Sequence, residues 1–262
     1  MGEVNYAPLI EDMVWSYSRI KAFDDCPYRW YLKYIRKLHG KDMFFSDYGL
    51  FAHKLIEMYY CGEKTQKQLS AMYLQEFKSR VKGHAPNKKV FGSYFKSGLN
   101  YFKNFTPFPY NMIAVEKRVD FVIDGILFVG YIDYLGEKDG ELYVVDNKSR
   151  TLKPRSARAK PTRSDEELDE YLRQLYIYSA AVEQEFGKKP GYLCFNCFRE
   201  PVFIQEPFQE QAYAASKEWL SESVKKITAE TDFRPDIDYF KCTHLCEMNG
   251  HCEYYKLSQK KR

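Results

Sequence analysis

GYIDYLGEKDGELYVVDNKSR, residues 130–150, is the stretch on which the reading of this chain turns. Two β-forming runs flank Asp139-Gly140, and a type I′ turn needs positive φ at both central positions, which Asp and Gly supply at least cost. The stretch therefore reads as a hairpin. With Asp139 and Gly140 as the two turn residues, Lys138 faces Glu141, and pairing continues outward until Asp133 stands opposite Asp146. Lys148, two residues on, shares that face. A three- or five-residue loop would shift the register by one.

Directly opposed side chains have Cβ atoms ~4.5–5.5 Å apart, so two carboxylates there repel unless a cation compensates. A hard divalent ion, Mg²⁺ or Mn²⁺, does so with carboxylates, waters and a substrate phosphate as ligands. A lysine alongside can orient water or stabilise charge developing on phosphate. Taken alone, the D-x-K pattern also fits a solvated hairpin face with an Asp146–Lys148 salt bridge. Other residues bear on that choice. His53, in a helical run that begins near residue 46, can offer a neutral imidazole. Glu116 is an acid inside the apolar run IAVEKRV. Gln174 and Tyr178 stand four apart and share one helix face.

Outward from the hairpin, residues 112–123 form a further β-run that ends at a second turn signal, Asp124-Gly125. Upstream the texture is helical: residues 16–38 with an interruption at Cys26-Pro27, then 46–60, 65–83 and 91–104. Downstream, residues 164–186 predict a helix with a capping box from Ser164 and Glu167 and Gly187 beyond its end. Two strands and a helix over 209–228 follow. This order argues for a mixed α/β core with an antiparallel start.

The chain has 262 residues, 45% of them hydrophobic, enough for a sizeable core. No apolar run approaches the ~18 residues of a membrane span, and the first residues carry acids where a secretory signal has a basic flank. An intracellular, cytoplasmic protein is expected, without a membrane partner. The net charge of +4 is local: Arg150, Lys153, Arg155, Arg158, Lys160 and Arg163 follow one another with no acid between them. Without them the rest of the chain is net negative. This stretch reads as a mobile loop able to neutralise backbone phosphates without reading sequence.

Gly49-x3-His53, Glu116, Gly130-x2-Asp133, Asp146-x-Lys148 and Gln174-x3-Tyr178 occur in the order and rough spacing of the RecB-like branch of the PD-(D/E)xK nucleases. The opening SYSRIKAFDDCPYRWYLKYI also resembles that branch. The resemblance implies a restriction-endonuclease-like core over residues 1–262, least well covered in a helical insert from 62 to 110. It implies metal binding by His53, Asp133 and Asp146 with the Asn147 carbonyl, and a catalytic role for Lys148. Gln174 and Tyr178 would orient the site and DNA, with Glu116 as a supporting acid. The family's proline-aspartate is Ile132-Asp133 here.

Seven cysteines without secretory signs argue against a disulfide framework. Cys26 with Cys242, Cys246 and Cys252 gives a one-plus-three thiolate set that suits an iron–sulfur cluster or a structural zinc. The AddB-type helicase–nucleases and the CRISPR-associated RecB-like exonucleases look similar. By that resemblance a 4Fe–4S cluster would clasp residues 229–262 onto Cys26. The C-x3-C spacing here departs from the family's C-x2-C, and His244 could serve a zinc. Cys194 and Cys197 read as core and strand-surface residues. The whole pattern implies a Mg²⁺- or Mn²⁺-dependent deoxyribonuclease, more an exonuclease on single strands or duplex ends than an endonuclease. It would leave 5′-phosphate and 3′-hydroxyl ends, with unwinding left to a helicase or another repair, phage or CRISPR partner. The alternative is a non-catalytic DNA-binding or scaffold subunit of such a complex.

Overall fold

Alternating apolar runs and two Asp-Gly turns build the centre of the molecule, in a computed structural model that describes residues 5–260. Strands β1 (Asn111–Ile123), β2 (Ile126–Lys138), β3 (Glu141–Lys148), β4 (Tyr192–Cys197) and β5 (Val202–Pro207) form one sheet in the order β1-β2-β3-β4-β5. Pairing is antiparallel except between β3 and β4, which run parallel. Both Asp-Gly pairs have positive φ at each residue, as type I′ turns demand. The fold is the expected mixed α/β arrangement, a mixed sheet flanked by helices.

The helices are α1 (Ala7–Ile10), α2 (Tyr17–Asp25), α3 (Pro27–Trp30), α4 (Phe44–Tyr60), α5 (Gln66–Arg80), α6 (Lys88–Lys103), α7 (Arg163–Phe186), α8 (Glu210–Thr228) and α9 (Tyr255–Gln259). Cys26 is extended, so α2 stops there and Pro27 opens α3, whose first turn needs no N–H from proline. The interruption expected at Cys26-Pro27 is present.

Side chains alternate across β3, and each face meets its own core. Leu142 and Val144 join Ile20, Phe23, Trp30, Leu172, Leu175 and Leu220 beneath α2, α7 and α8. Tyr143 and Val145 face Phe108, Tyr134 and Cys194. The α4–α5–α6 layer has a third, aromatic core around Tyr48, Phe51, Tyr73, Phe77 and Phe102. Cys194 and Cys197 are both buried, so the core part of their reading holds and neither lies on a strand surface. Among the described residues no helix is long and apolar enough to cross a membrane.

Helix α7 begins two residues earlier than the capping box expected from Ser164 and Glu167. Thr162 is the N-cap and Asp165 closes the box. Asp165 also accepts the N–H and the hydroxyl of Ser156, each at 2.7 Å. Those bonds, with Leu152 buried, fasten the basic segment that the sequence suggested would be mobile. The same hydrogen bonds hold the Asp165 carboxyl below the usual carboxylate range.

Candidate active site

The β2–β3 ladder runs from Lys138↔Glu141 to Tyr134↔Val145, the register expected from a two-residue turn. Its next step would pair Asp133 with Asp146, and there the strands part. Asp133 Oδ2 instead accepts the backbone N–H of Asn147 at 2.7 Å. Beyond that point Asp146, Asn147 and Lys148 pair with β4 alone. The β1–β2 ladder breaks at the same level: Val115↔Tyr134 and Lys117↔Ile132 flank Glu116, which has φ +45°. A left-handed backbone at a non-glycine residue costs about 1 kcal/mol or more.

Into this break α4 delivers His53. Its Nδ1 lies 3.4 Å from Asp133 Oδ2 and 3.8 Å from Glu116 Oε1, while Nε2 lies 2.9 Å from the Asn147 carbonyl. Among the described residues, His53, Glu116 and Asp133 are the group whose ligand atoms all lie within 4.8 Å of one another. A neutral imidazole with its proton on Nε2, donated to the Asn147 carbonyl, leaves the Nδ1 lone pair facing both carboxylates. That donor set, one nitrogen and carboxylate oxygens, fits a divalent cation. The grouping differs from the expected one. Glu116 stands in it, the Asn147 carbonyl is held by His53, and Asp146 Oδ2 is met by Lys148.

The lysine is fixed from two sides. Its Nζ is 2.7 Å from Asp146 Oδ2 and donates to Gln174 Oε1 at 2.8 Å. Gln174 Nε2 lies 3.3 Å from the Tyr178 hydroxyl. Gly130 makes this possible: a Cβ there would come within 2.6 Å of the Tyr178 ring. All of these except Glu116 line one cleft of about 460 Å³, together with Ser149 and Arg150. Lys148, Arg150 and Gln174 also line the neighbouring cleft, which runs on to Cys26, Cys242 and Cys246.

Asp133 and Asp146 are only 8% and 4% exposed, so their charges cannot be dispersed by water. Burial first, then the charge of Asp146, pushes the Asp133 carboxyl up to about 7 against the opposing pull of His53 and the Asn147 N–H. Burial would lower the His53 pKa, but Asp133, Glu116 and Asp146 outweigh it and raise it to about 9. A site that wants protons this strongly is short of positive charge.

Two groups escaped the sequence reading. Asn196 donates from Nδ2 to the Asn147 side-chain oxygen and lies 2.7 Å from the Tyr101 hydroxyl, securing the residue between Asp146 and Lys148. Tyr171 sets its ring 5.4 Å from Lys148 Nζ. Its spacing, three residues before Gln174 in one helix, is the only signal the sequence offered. Of the six cations in the basic segment, Arg150 is bound to Glu167 and Tyr171, and Arg155 to Asp169 and Glu206. Lys153, Arg158, Lys160 and Arg163 make no ion pair among the described residues.

The profile of the PD-(D/E)XK nuclease superfamily matches residues 14–253. The chain belongs to that superfamily. PD-(D/E)XK nucleases use divalent metals, and the His53–Glu116–Asp133 group could hold one. No curated protein matches the chain. A crystal structure described as a candidate exonuclease from Eubacterium rectale is 15% identical, with 96% of this chain and 92% of that chain covered, at a TM-score of 0.49. The protein SSO0001 is 14% identical, with 93% and 87% covered, at a TM-score of 0.38. Membership of the PD-(D/E)XK superfamily rests on the sequence match, not on these two likenesses.

The far end of the second cleft holds the cysteines. Cys26, Cys242 and Cys246 line it, and the thiols of Cys246 and Cys252 are raised by burial and also feel Cys26. Among the described residues no three of these sulfurs lie within 4.8 Å of one another. Arg29 Nε meets Glu247 Oε2 at 2.8 Å, Lys33 meets Oε1 at 3.0 Å, and the Tyr28 hydroxyl donates to Glu253 at 2.6 Å.

Proposed function

We propose that this PD-(D/E)XK protein is a RecB-like, Mg²⁺- or Mn²⁺-dependent deoxyribonuclease. It acts as an exonuclease on single strands or duplex ends and leaves 5′-phosphate and 3′-hydroxyl products. The observation that carries the proposal is Lys148, held between Asp146 and Gln174 at the lip of the His53–Glu116–Asp133 group. A divalent cation held there by His53 Nδ1, Asp133 and Asp146, with Glu116 in support, would supply Lewis acidity toward a phosphate oxygen and toward the attacking water, while the Asn147 carbonyl stays on His53 Nε2. Lys148 presents a fixed positive charge where the phosphate gains negative charge. Gln174 and Tyr178 are positioning residues that aim it. His53 steadies the Asn147 carbonyl through Nε2.

DNA is the proposed partner, bound without regard to sequence. Lys153, Arg158, Lys160 and Arg163, which make no ion pair among the described residues, support backbone neutralisation, with Arg150 and Arg155 at the edge of the same track. A helicase or another repair, phage or CRISPR component would supply unwinding. We take residues 62–110 as a helical insert in one nuclease domain and 229–262 as a clasp closed on Cys26. For that clasp we propose a 4Fe–4S cluster on Cys26, Cys242, Cys246 and Cys252, with a structural zinc as the alternative. Anaerobically purified protein should be brown and carry iron; a colourless protein with one zinc would reverse that assignment.

The test of the nuclease reading is digestion of end-labelled DNA with Mg²⁺ or Mn²⁺. We expect Lys148→Ala to lose about 100-fold or more in rate with DNA binding retained. Equal behaviour of wild type and Lys148→Ala at high protein concentration would end the nuclease reading.

A further inference from the structure

Lys148 does not end the run of polar groups. Thr151, three residues on and at most ~10 Å along an extended chain, and Lys153, two residues further, line a separate cleft of about 650 Å³. The opposite wall is one face of α6, with Lys96, Ser97 and Asn100, and the turn between β4 and β5 supplies Arg199. That turn is tied to the strand bearing Lys148, because the Phe198 N–H donates to the Lys148 carbonyl at 3.1 Å.

The cations here are differently placed from Arg150 and Arg155, which spend their charge on acids. Lys96 and Lys153 are exposed and have no ion pair among the described residues. Arg199 Cζ lies 4.3 Å from the centre of the Tyr94 ring, and its ion-pair partner among the described residues, Glu200 at 3.9 Å, has a side chain 64% exposed. Arg199 Nε and Thr151 Oγ1, on two residues that line the cleft, are buried and have no hydrogen-bond partner among the described residues. Three cations against one solvated acid make a phosphate subsite. Its walls lie along the chain path that leaves the lysine, as a polymer's backbone would require.

We propose that this cleft grips a backbone phosphate of the nucleic-acid strand next to the one being cut, through Lys96, Lys153 and Arg199. This rests on the nuclease reading and extends it: the α5–α6 helical hairpin becomes one bank of the substrate track. Recognition there is by phosphate, hence independent of base.

The experiment is fluorescence anisotropy of a single-stranded oligonucleotide in Ca²⁺, over a salt series, with wild type, Lys96→Glu, Lys153→Ala and Arg199→Ala. Lys96 is exposed, so its reversal leaves the core intact whatever Arg199→Ala does to the packing on Tyr94. We expect about tenfold weaker binding for Lys96→Glu. Each alanine variant removes one phosphate-neutralising cation, so its log–log salt slope should be smaller by ~0.7. Unchanged affinity and slope in all three, or no binding by wild type, overturns the proposal. So does wild-type affinity for inorganic phosphate that Lys96→Glu abolishes while oligonucleotide binding is untouched, the mark of a site for free phosphate. Digestion of DNA by wild type with Mg²⁺ is read in parallel. An inactive wild type counts against the nuclease reading, whereas unchanged binding by the variants of an active enzyme counts against this subsite alone.

Discussion

At the residue scale, the site is a place where protons stand in for a metal. The raised pKa of His53 contributes stability that is full below its unfolded value of about 6.5 and lost as pH rises through about 9. Asp133, raised to about 7, binds its proton more tightly folded than unfolded, so its ionisation costs stability as pH climbs from about 4 to about 7. Both push the metal-free protein the same way, toward lower stability from pH 4 to 9. A divalent ion needs the same groups deprotonated. We therefore expect Mn²⁺ to raise the melting temperature more at about pH 8.5 than at about pH 6, and Glu116→Gln to shrink the difference. A metal-induced shift that is flat with pH, or larger at the acid end, would contradict this view of the site. The residues of the break were legible because Asp133, Asp146 and Lys148 violate strand patterning in a run that otherwise predicts a hairpin. The left-handed backbone of Glu116 was not, since nothing in IAVEKRV requires positive φ.

At the element scale, a glycine and a cap decide geometry. Gly130 has an ordinary backbone, and its role is to leave room for the Tyr178 ring. Gly130→Ala should cost about 1–3 kcal/mol as an overpacking change, read as a melting temperature lower by roughly 2–4 °C per kcal/mol. Because the displaced ring holds Gln174, and Gln174 holds Lys148, DNA cleavage should fall further than the loss of folded protein explains. A Gly130→Ala protein with wild-type stability and rate would show that the ring has another place to go. The hairpin register could be read from Asp139-Gly140 because turn length fixes it. The start of α7 could not, since Thr162/Asp165 and Ser164/Glu167 both satisfy capping chemistry. The choice fell to Ser156, whose N–H and hydroxyl are bonded to Asp165 by a path the local sequence does not announce.

At the scale of the whole molecule, charged and polar side chains tie residues 28–33 to residues 247–253. Glu247, between Cys246 and the Met248 that packs near Gly40, accepts from both Arg29 and Lys33. We expect Glu247→Gln to speed limited tryptic cleavage after Lys241 while leaving the sheet protected; an unchanged digest would mean that these ion pairs do not hold the segment. The cysteine grouping raised the expectation of a clasp between these segments, but ion pairs across such a separation leave no periodic trace. The sheet carries the same closure further, because Trp15 bridges in parallel to Phe128 and bonds with Leu127 and Val129. Phe233 then stacks on Trp30 and Tyr31. During synthesis, at ~5–20 residues per second, Trp30 emerges on the order of ten to forty seconds before Phe233 exists to cover it. The nascent chain must carry an uncovered aromatic surface through that interval, so its yield should depend on whatever shields that surface while it waits.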